Sequence, residues 1–496
     1  GAGNVTLNGS GQDTIINSTI TTATTATFTA TRDVIVGATI TTTNADIIIN
    51  ANTDDGSAVG AGGVQIQTAG QLVAGRDVTI TGSDLFVTNT AGVLDSIEIQ
   101  NDGDADQIIA NQNISLTSRV ASPAGADILV LGELLATTGS INIDALDRTV
   151  LNDNVDAGTD ITFRDAVDIS ADLTVTAGND VTFFSTVDEF ATATGSDLTV
   201  NGDGVTRFNA EVGGASPLES FTTNAAGSTE LEANVTADNG AITFEDAVLL
   251  TGNVTVTNTS ATSINFNNTL DSQVDEHNSL ILTAETGEIV FDGDVGASTG
   301  TGADDLTLGS LTVTSAVGVT FGNNDGVASI LTDDSINIGS ATTIGVSGIT
   351  FDGVTAGTTI ETTSDSVRLN GAVTLNTDLR IDTDETAVAA AGGANVTFTN
   401  DTPIDSQTNE GNDLTIDAGT GSVFFNEDIG NSAADTELGR LIIEEAIAGV
   451  TFGAADAETP GVGGSGPVNV ISLVGDGVST ALDIGSVTTI GGSGIV

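Results

Sequence analysis

Short runs in which apolar and polar residues alternate extend along the whole chain, as in LTVTAGNDVTF (residues 173–183), and Gly, Asn and Asp punctuate them. A period of two is the pattern of a β-strand with one buried face, and the punctuating residues are those of tight turns. No stretch keeps a convincing 3.6-residue apolar period, and the chain holds only 5 Pro. The pattern predicts an all-β protein with almost no helix.

One short phrase recurs within these runs. GRDVTI ends at Ile80, GTDITF at Phe163 and GNDVTF at Phe183, and GVTFG occurs around Phe321 and Phe452. Its V/I-x-F core places Phe at 163, 183, 244, 266, 291, 321, 351, 398, 425 and 452, with Phe208 in the variant VTRF and with Leu231 and Leu369 filling the slot in two gaps. The intervals run from 13 to 30 residues, mostly 20 to 30, which matches one turn of a parallel β-helix whose loops absorb insertions. The first and third residues of V-x-F share a strand face, so Val181 and Phe183 point inward and Thr182 outward. The expected fold is therefore a parallel β-helix, or β-solenoid, with one internal column of Phe, Val, Ile and Leu. Roughly 20 coils at about 4.8 Å each would make it on the order of 100 Å long.

Longer segments repeat as well. LTAETGEIVFDGDVG (282–296) parallels IDAGTGSVFFNEDIG (416–430), LGSLTVTSAVGVTFG (308–322) parallels LGRLIIEEAIAGVTFG (438–453), and GSATTIGVSGI (339–349) parallels GSVTTIGGSGI (485–495). A multi-coil block duplicated with loop insertions accounts for them, over 279–350 and 413–496. Composition barely changes along the chain, so residues 1–496 read as one continuous solenoid, less regular in 1–150 and carrying the Phe phrase in 151–496.

Charge narrows the partners. The 496 residues contain 68 Asp and Glu against nine Arg, with no Lys, for a formal net charge of −59. Such a field repels phosphate backbones and anionic membranes and attracts cations, so nucleic acid is excluded as an expected partner. No cysteine is present, hence no disulfide and no thiolate metal site, which fits an exported bacterial protein. The longest apolar run, ILVLGELLA (128–136), contains Glu133 and is too short to span a bilayer. Both ends of the chain read as interior coil text, which predicts end-to-end cover by copies of itself or by further repeats of the same polypeptide.

The stretch LTVNGDGVTRFNAEVGGASPLESFTTNAAGSTELEANVTADNGAITFEDAVLLTGNVTV (198–256), together with AGRDVTI (74–80), resembles the repeats of giant bacterial β-strand-repeat and filamentous-haemagglutinin-like surface proteins. The resemblance is to a repeat style and covers most of the chain. It implies a right-handed parallel β-helix, export to the cell surface, and a role as adhesin, fibre or surface layer.

Few residues carry candidate chemistry. Asp102, Asp104 and Asp106 in DGDAD have the D-x-D-x-D spacing that wraps a hard cation such as Ca2+, but Gln107 and Asn113 stand where an EF-hand needs Gly and an acid. Asp382, Asp384 and Glu385 in DTDE form a second acidic cluster. For both, a calcium loop and a solvated acidic turn stay open. Arg380 shares a strand face with Asp382 and Asp384, the arrangement a β-helix polysaccharide lyase would use to hold calcium and take a proton; a cross-coil salt bridge explains it equally. His277, the only histidine, lies in a polar loop. GVGGSG (461–466) matches a dinucleotide fingerprint but runs into strand text rather than a helix. TATFTAT (25–31) aligns Thr25, Thr27, Thr29 and Thr31 on one face, as an ice- or water-ordering surface would, although Thr is also an ordinary exposed strand residue. The expectation is a non-enzymatic, secreted structural protein, a surface fibre, sheath or adhesin stalk with a possible cell-surface or carbohydrate target. A polysaccharide-active enzyme is the alternative.

Overall fold

The structure, a computed structural model, describes residues 4–9, 13–51, 62–83, 96–101, 106–119, 127–191, 193–260, 262–296, 305–322, 329–339, 348–353, 357–384, 392–399, 403–425, 429–430, 436–452 and 482–486. These residues contain no helix, and their strands pair in parallel. They fall into two compact units, Gly1–Ala237 and Asp238–Val496. Each unit is a parallel β-solenoid. A coil lays one short strand on each of three faces around an apolar interior, and each strand pairs with its equivalent in the next coil.

In the first unit the first face begins with Val5–Gly9, Ala26–Ala30 and Ile47–Asn50; the second with Thr14–Ile16, Val34–Val36 and Val64–Ile66; the third with Ile20–Thr22, Ile40–Thr42 and Leu72–Ala74. One coil advances 21 residues from Val5 to Ala26 but 36 from Val78 to Ile114. The surplus lies between strands, so register survives insertions. Apolar side chains consequently stack on apolar side chains: Ala26, Ile47, Val78, Ile114, Ile141, Ile161 and Val181 form one inward row, all essentially without solvent contact.

Each letter of the recurring phrase has a physical task. A Cβ at Gly178 would lie 2.4 Å from the carbonyl oxygen of Gly158, and one at Gly158 would lie 2.5 Å from that of Thr137; only glycine lets the backbones pass so closely. The following Asp ties one coil to the next. Asp160 Oδ1 accepts from Asn179 Nδ2 at 2.7 Å and from the Asp180 N–H at 3.3 Å, and Asp180 Oδ1 accepts from the Val205 N–H at 2.8 Å. That last bond, aided by Arg207 and opposed by burial, holds the Asp180 carboxyl below its ordinary pKa. Val181 and Phe183 then point inward and Thr182 outward, as the alternation predicts. The same holds at Ala26–Ala30, where Ala26, Phe28 and Ala30 are buried. On its outward side Thr27 lies opposite Ile48, which lies opposite Thr79 one coil further on.

The expected single Phe column is corrected to separate stacks. In the first unit Phe163, Phe183 and Phe208 stack on the first face at 4.8 and 5.0 Å, and Leu231 follows in register. Phe221 belongs to the third face and meets Phe208 edge-on at 5.2 Å. In the second unit the first, second and third faces begin with Ile242–Phe244, Ala247–Leu250 and Val254–Asn258. Phe244, Phe266, Phe291, Phe321 and Phe351 stack along its first face at 5.0–5.3 Å with ring planes within 14° of parallel. Leu375, not Leu369, continues that row. Leu369 sits under Phe398 on the third face, where Phe398 and Phe425 make a stack of their own at 5.2 Å.

The repeated segments show how the stack changes face. Leu280–Thr283 and Glu288–Phe291 occupy the third and first faces, whereas their counterparts Leu414–Asp417 and Ser422–Phe425 occupy the second and third. The turn leading into each is alike: the Asn278 N–H donates to Ser272 Oγ at 2.7 Å, and the Asn412 N–H to Ser406 Oγ at 2.9 Å. The repeated text therefore specifies a strand, a turn and an inward direction, and each copy works on a different face.

Offset stacking contributes about 0.5–1.5 kcal/mol per pair beyond burial. Phe321→Asp, which strands a carboxylate between two rings, is expected to cost more than about 4 kcal/mol, and Thr320→Asp, on the outer side of the same strand, less than about 1 kcal/mol. Thermal unfolding of the two variants checks this, and equal losses would contradict the inward assignment.

Candidate cation site

On the second face of the second unit, Thr358–Thr362, Leu379–Asp382, Leu414–Asp417 and Leu441–Glu445 are successive strands. Leu379, Leu414 and Leu441 align inward, as do Ile381, Ile416 and Ile443. The same register aligns Glu361, Asp382, Asp417 and Glu445. A register shift beside Asp417 passes over Glu444 and brings Glu445 into the ladder. Like charges directly opposite each other destabilise a sheet, so this row needs counter-charge.

Arg380 supplies part of it. Its Nη2 donates to Asp382 Oδ2 at 2.8 Å and lies 3.8 Å from Asp417 Oδ2, while Nη1 donates to Glu444. Burial pulls the guanidinium pKa down, but the bonds to Glu444 and Asp382 outweigh it and raise the value above its ordinary level. A group held this firmly in its charged form is a poor proton acceptor.

Asp384, just past the end of its strand, joins Asp417 and Glu445 of the ladder: each of the three offers a carboxylate oxygen within 4.8 Å of the other two, and all three are half-buried. The Asp384 N–H donates to Asp382 Oδ1 at 2.9 Å, and the Gly419 N–H to Asp417 Oδ1 at 3.1 Å. Gly419 has φ 48°, and a Cβ there would lie 2.9 Å from Asp384 Cβ, so glycine makes room for that carboxylate. Burial pushes the Asp417 pKa up, and Asp382 and Glu444 push it further, against the Gly419 N–H and Arg380. Three convergent carboxylates in a half-buried setting are a donor set for a hard cation such as Ca2+.

Of the acids singled out in the sequence, Asp384 belongs to this triad, Asp382 stands beside it in the ladder, and Glu385 lies outside the described residues. Asp417 and Glu445 escaped notice because their coils are distant in sequence, although LRID, LTID and LIIEE repeat one pattern. In the first unit, Asp102 and Asp104 lie outside the described residues, while Asp106 approaches acids of later coils. Burial raises the Glu133 pKa, and Asp106 and Asp153 raise it further; burial and then Asp106 raise that of Asp156. His277 is half-buried, and its Nδ1 is buried without a hydrogen-bond partner. GVGGSG lies outside the described residues.

No family model, curated protein or solved structure matches the chain. Among the described residues, no helix is long and apolar enough to cross a membrane.

Calcium held by the triad would raise the melting temperature above that in sodium at equal ionic strength. At about 100-fold over its Kd the gain is about 2.7 kcal/mol, and Asp384→Asn should abolish most of it. Superimposable calcium and sodium melts would reject the site. Stability also carries a pH signature. Burial raises Asp168, despite its ion pair with Arg148, to about 6 from an ordinary value of 3.8, and Asp417 is raised too. Between the ordinary and raised values the folded chain binds protons that the unfolded chain does not, so stability rises as pH falls from 7 toward about 4, by on the order of 2 kcal/mol for Asp168. Asp180, whose pKa is lowered, loses its contribution only below its ordinary range. A melting temperature falling steadily from pH 7 to 4 would contradict this assignment.

Proposed function

We propose that this protein is a non-enzymatic structural component of a bacterial surface, a secreted β-solenoid serving as fibre, sheath or adhesin stalk. One observation carries the reading: in each unit, strand after strand repeats in register, with stacked apolar side chains inside and Thr, Asn and Asp outside. Such an arrangement carries load through backbone ladders and can be extended coil by coil. Its partners in this reading are copies of itself or further repeats of the same polypeptide, end to end, and a cell-surface or carbohydrate target. Calcium bound at the acidic ladders would stiffen the carboxylate-rich surface.

The alternative, a polysaccharide-active enzyme, rested on Arg380 with Asp382 and Asp384. Arg380 is engaged by Asp382, Asp417 and Glu444, which favours the structural reading. Immunogold electron microscopy on intact cells tests the proposal: label along surface filaments or an outer layer is expected. Label confined to the cell interior, or depolymerisation of a polysaccharide that Arg380→Gln abolishes, would overturn it.

A further inference from the structure

A small patch on the first unit combines features that stability does not explain. Leu146 is 54% exposed and adopts φ 77°, a left-handed conformation that a leucine takes only under strain. Asp165 fixes it there, its Oδ2 accepting from the Ala145 N–H at 2.8 Å and the Leu146 N–H at 3.1 Å. Two coils on, at the same corner after the first-face strand, Phe184 is 50% exposed, and the Arg164 guanidinium of the coil between lies over its ring at 6.0 Å, steadied by Nε donating to Asn142 Oδ1 at 3.0 Å. Six of the nine arginines, Arg32, Arg76, Arg148, Arg207, Arg380 and Arg440, lie within ion-pair distance of a carboxylate. Arg164 does not, among the described residues, although the chain carries 68 acids. Exposed Asp147 sits next to Leu146.

We infer that this patch is a lateral docking surface for a second copy of this chain. Backbone strain of the kind Leu146 carries concentrates at functional sites. The patch is also self-complementary, since it holds two apolar groups, one base without a carboxylate and one exposed acid within three successive coils. A two-fold axis therefore sets Phe184 of each copy against Leu146 of the other, and Arg164 against Asp147. An arginine without a carboxylate selects an acidic surface, and at −59 every copy of this chain presents one. The contact is small, so it is weak singly and gains strength where several copies lie side by side. Because two such polyanions repel at long range, pairing strengthens as salt screens the repulsion, the reverse of a simple Arg–anion contact. The inference does not rest on the fibre reading.

Sedimentation velocity over rising protein and salt concentration tests it. Reversible association that grows with ionic strength is expected, weakened about tenfold or more by Phe184→Ser and by Leu146→Gly. Glycine accepts positive φ, so Leu146→Gly should keep or raise the melting temperature while losing association, which separates docking from folding. A monomer at every concentration and salt would overturn the inference. Association untouched by these substitutions would also overturn it, placing the contact elsewhere.

Discussion

Parallel strands held in register impose one constraint on this protein: each residue must sit on its equivalent one coil away. Side chains that gain by meeting their own kind become structural, and side chains that lose by it become problems to be offset. Phe gains, as in the Phe291–Phe321 pair at 5.0 Å with ring planes 4° apart. Asn, Asp and Ser before a strand gain too, since the side chain of one coil accepts the N–H of the next, as in Asp77 to Asn113 to Ser140 at 3.0 Å each. Glycine is required wherever coils cross too closely for a Cβ.

Carboxylates are the residues that lose. Glu361, Asp382, Asp417 and Glu445 are brought opposite one another by the same ladders that align the leucines beneath them. Two of the arginines sit where carboxylates of different coils meet: Arg207 bridges Asp180 and Glu230, and Arg380 bridges Asp382 and Glu444. With nine arginines for 68 acids, most carboxylates depend on solvent, backbone N–H groups or cations. This ties the candidate cation site to the fold, for carboxylate clusters are what the register makes of an acidic repeat.

The same constraint decides what the sequence revealed. Period-two alternation showed the strands, their inward sides and the coil-by-coil stacking, and Leu231 was rightly placed in the Phe208 row. It did not show which face a phrase occupies. V-x-F encodes inward and nothing more, so a break from one Phe row to another looks like a variable interval, and Leu369 was assigned to the wrong row. At the acidic site Asp384 was visible within its own coil. Asp417 and Glu445 were not, because their proximity depends on how much chain the intervening turns consume.

The central claim is that successive coils lie in parallel register with these residues opposite one another, and a cysteine-free chain allows a direct measurement by pairwise cross-linking. Thr162 and Thr182 face outward in register on the first face of the first unit, as do Thr320 and Thr350 on the first face of the second. Neighbouring strands bring such Cα atoms to about 4.8 Å, within the span of a disulfide. Mild oxidation of Thr162→Cys with Thr182→Cys, and of Thr320→Cys with Thr350→Cys, should close a bond nearly completely in the folded chain. Thr162→Cys with Thr176→Cys, on different faces, should stay open. Failure of the in-register pairs in a folded chain, or closure of the mismatched one, would contradict the account.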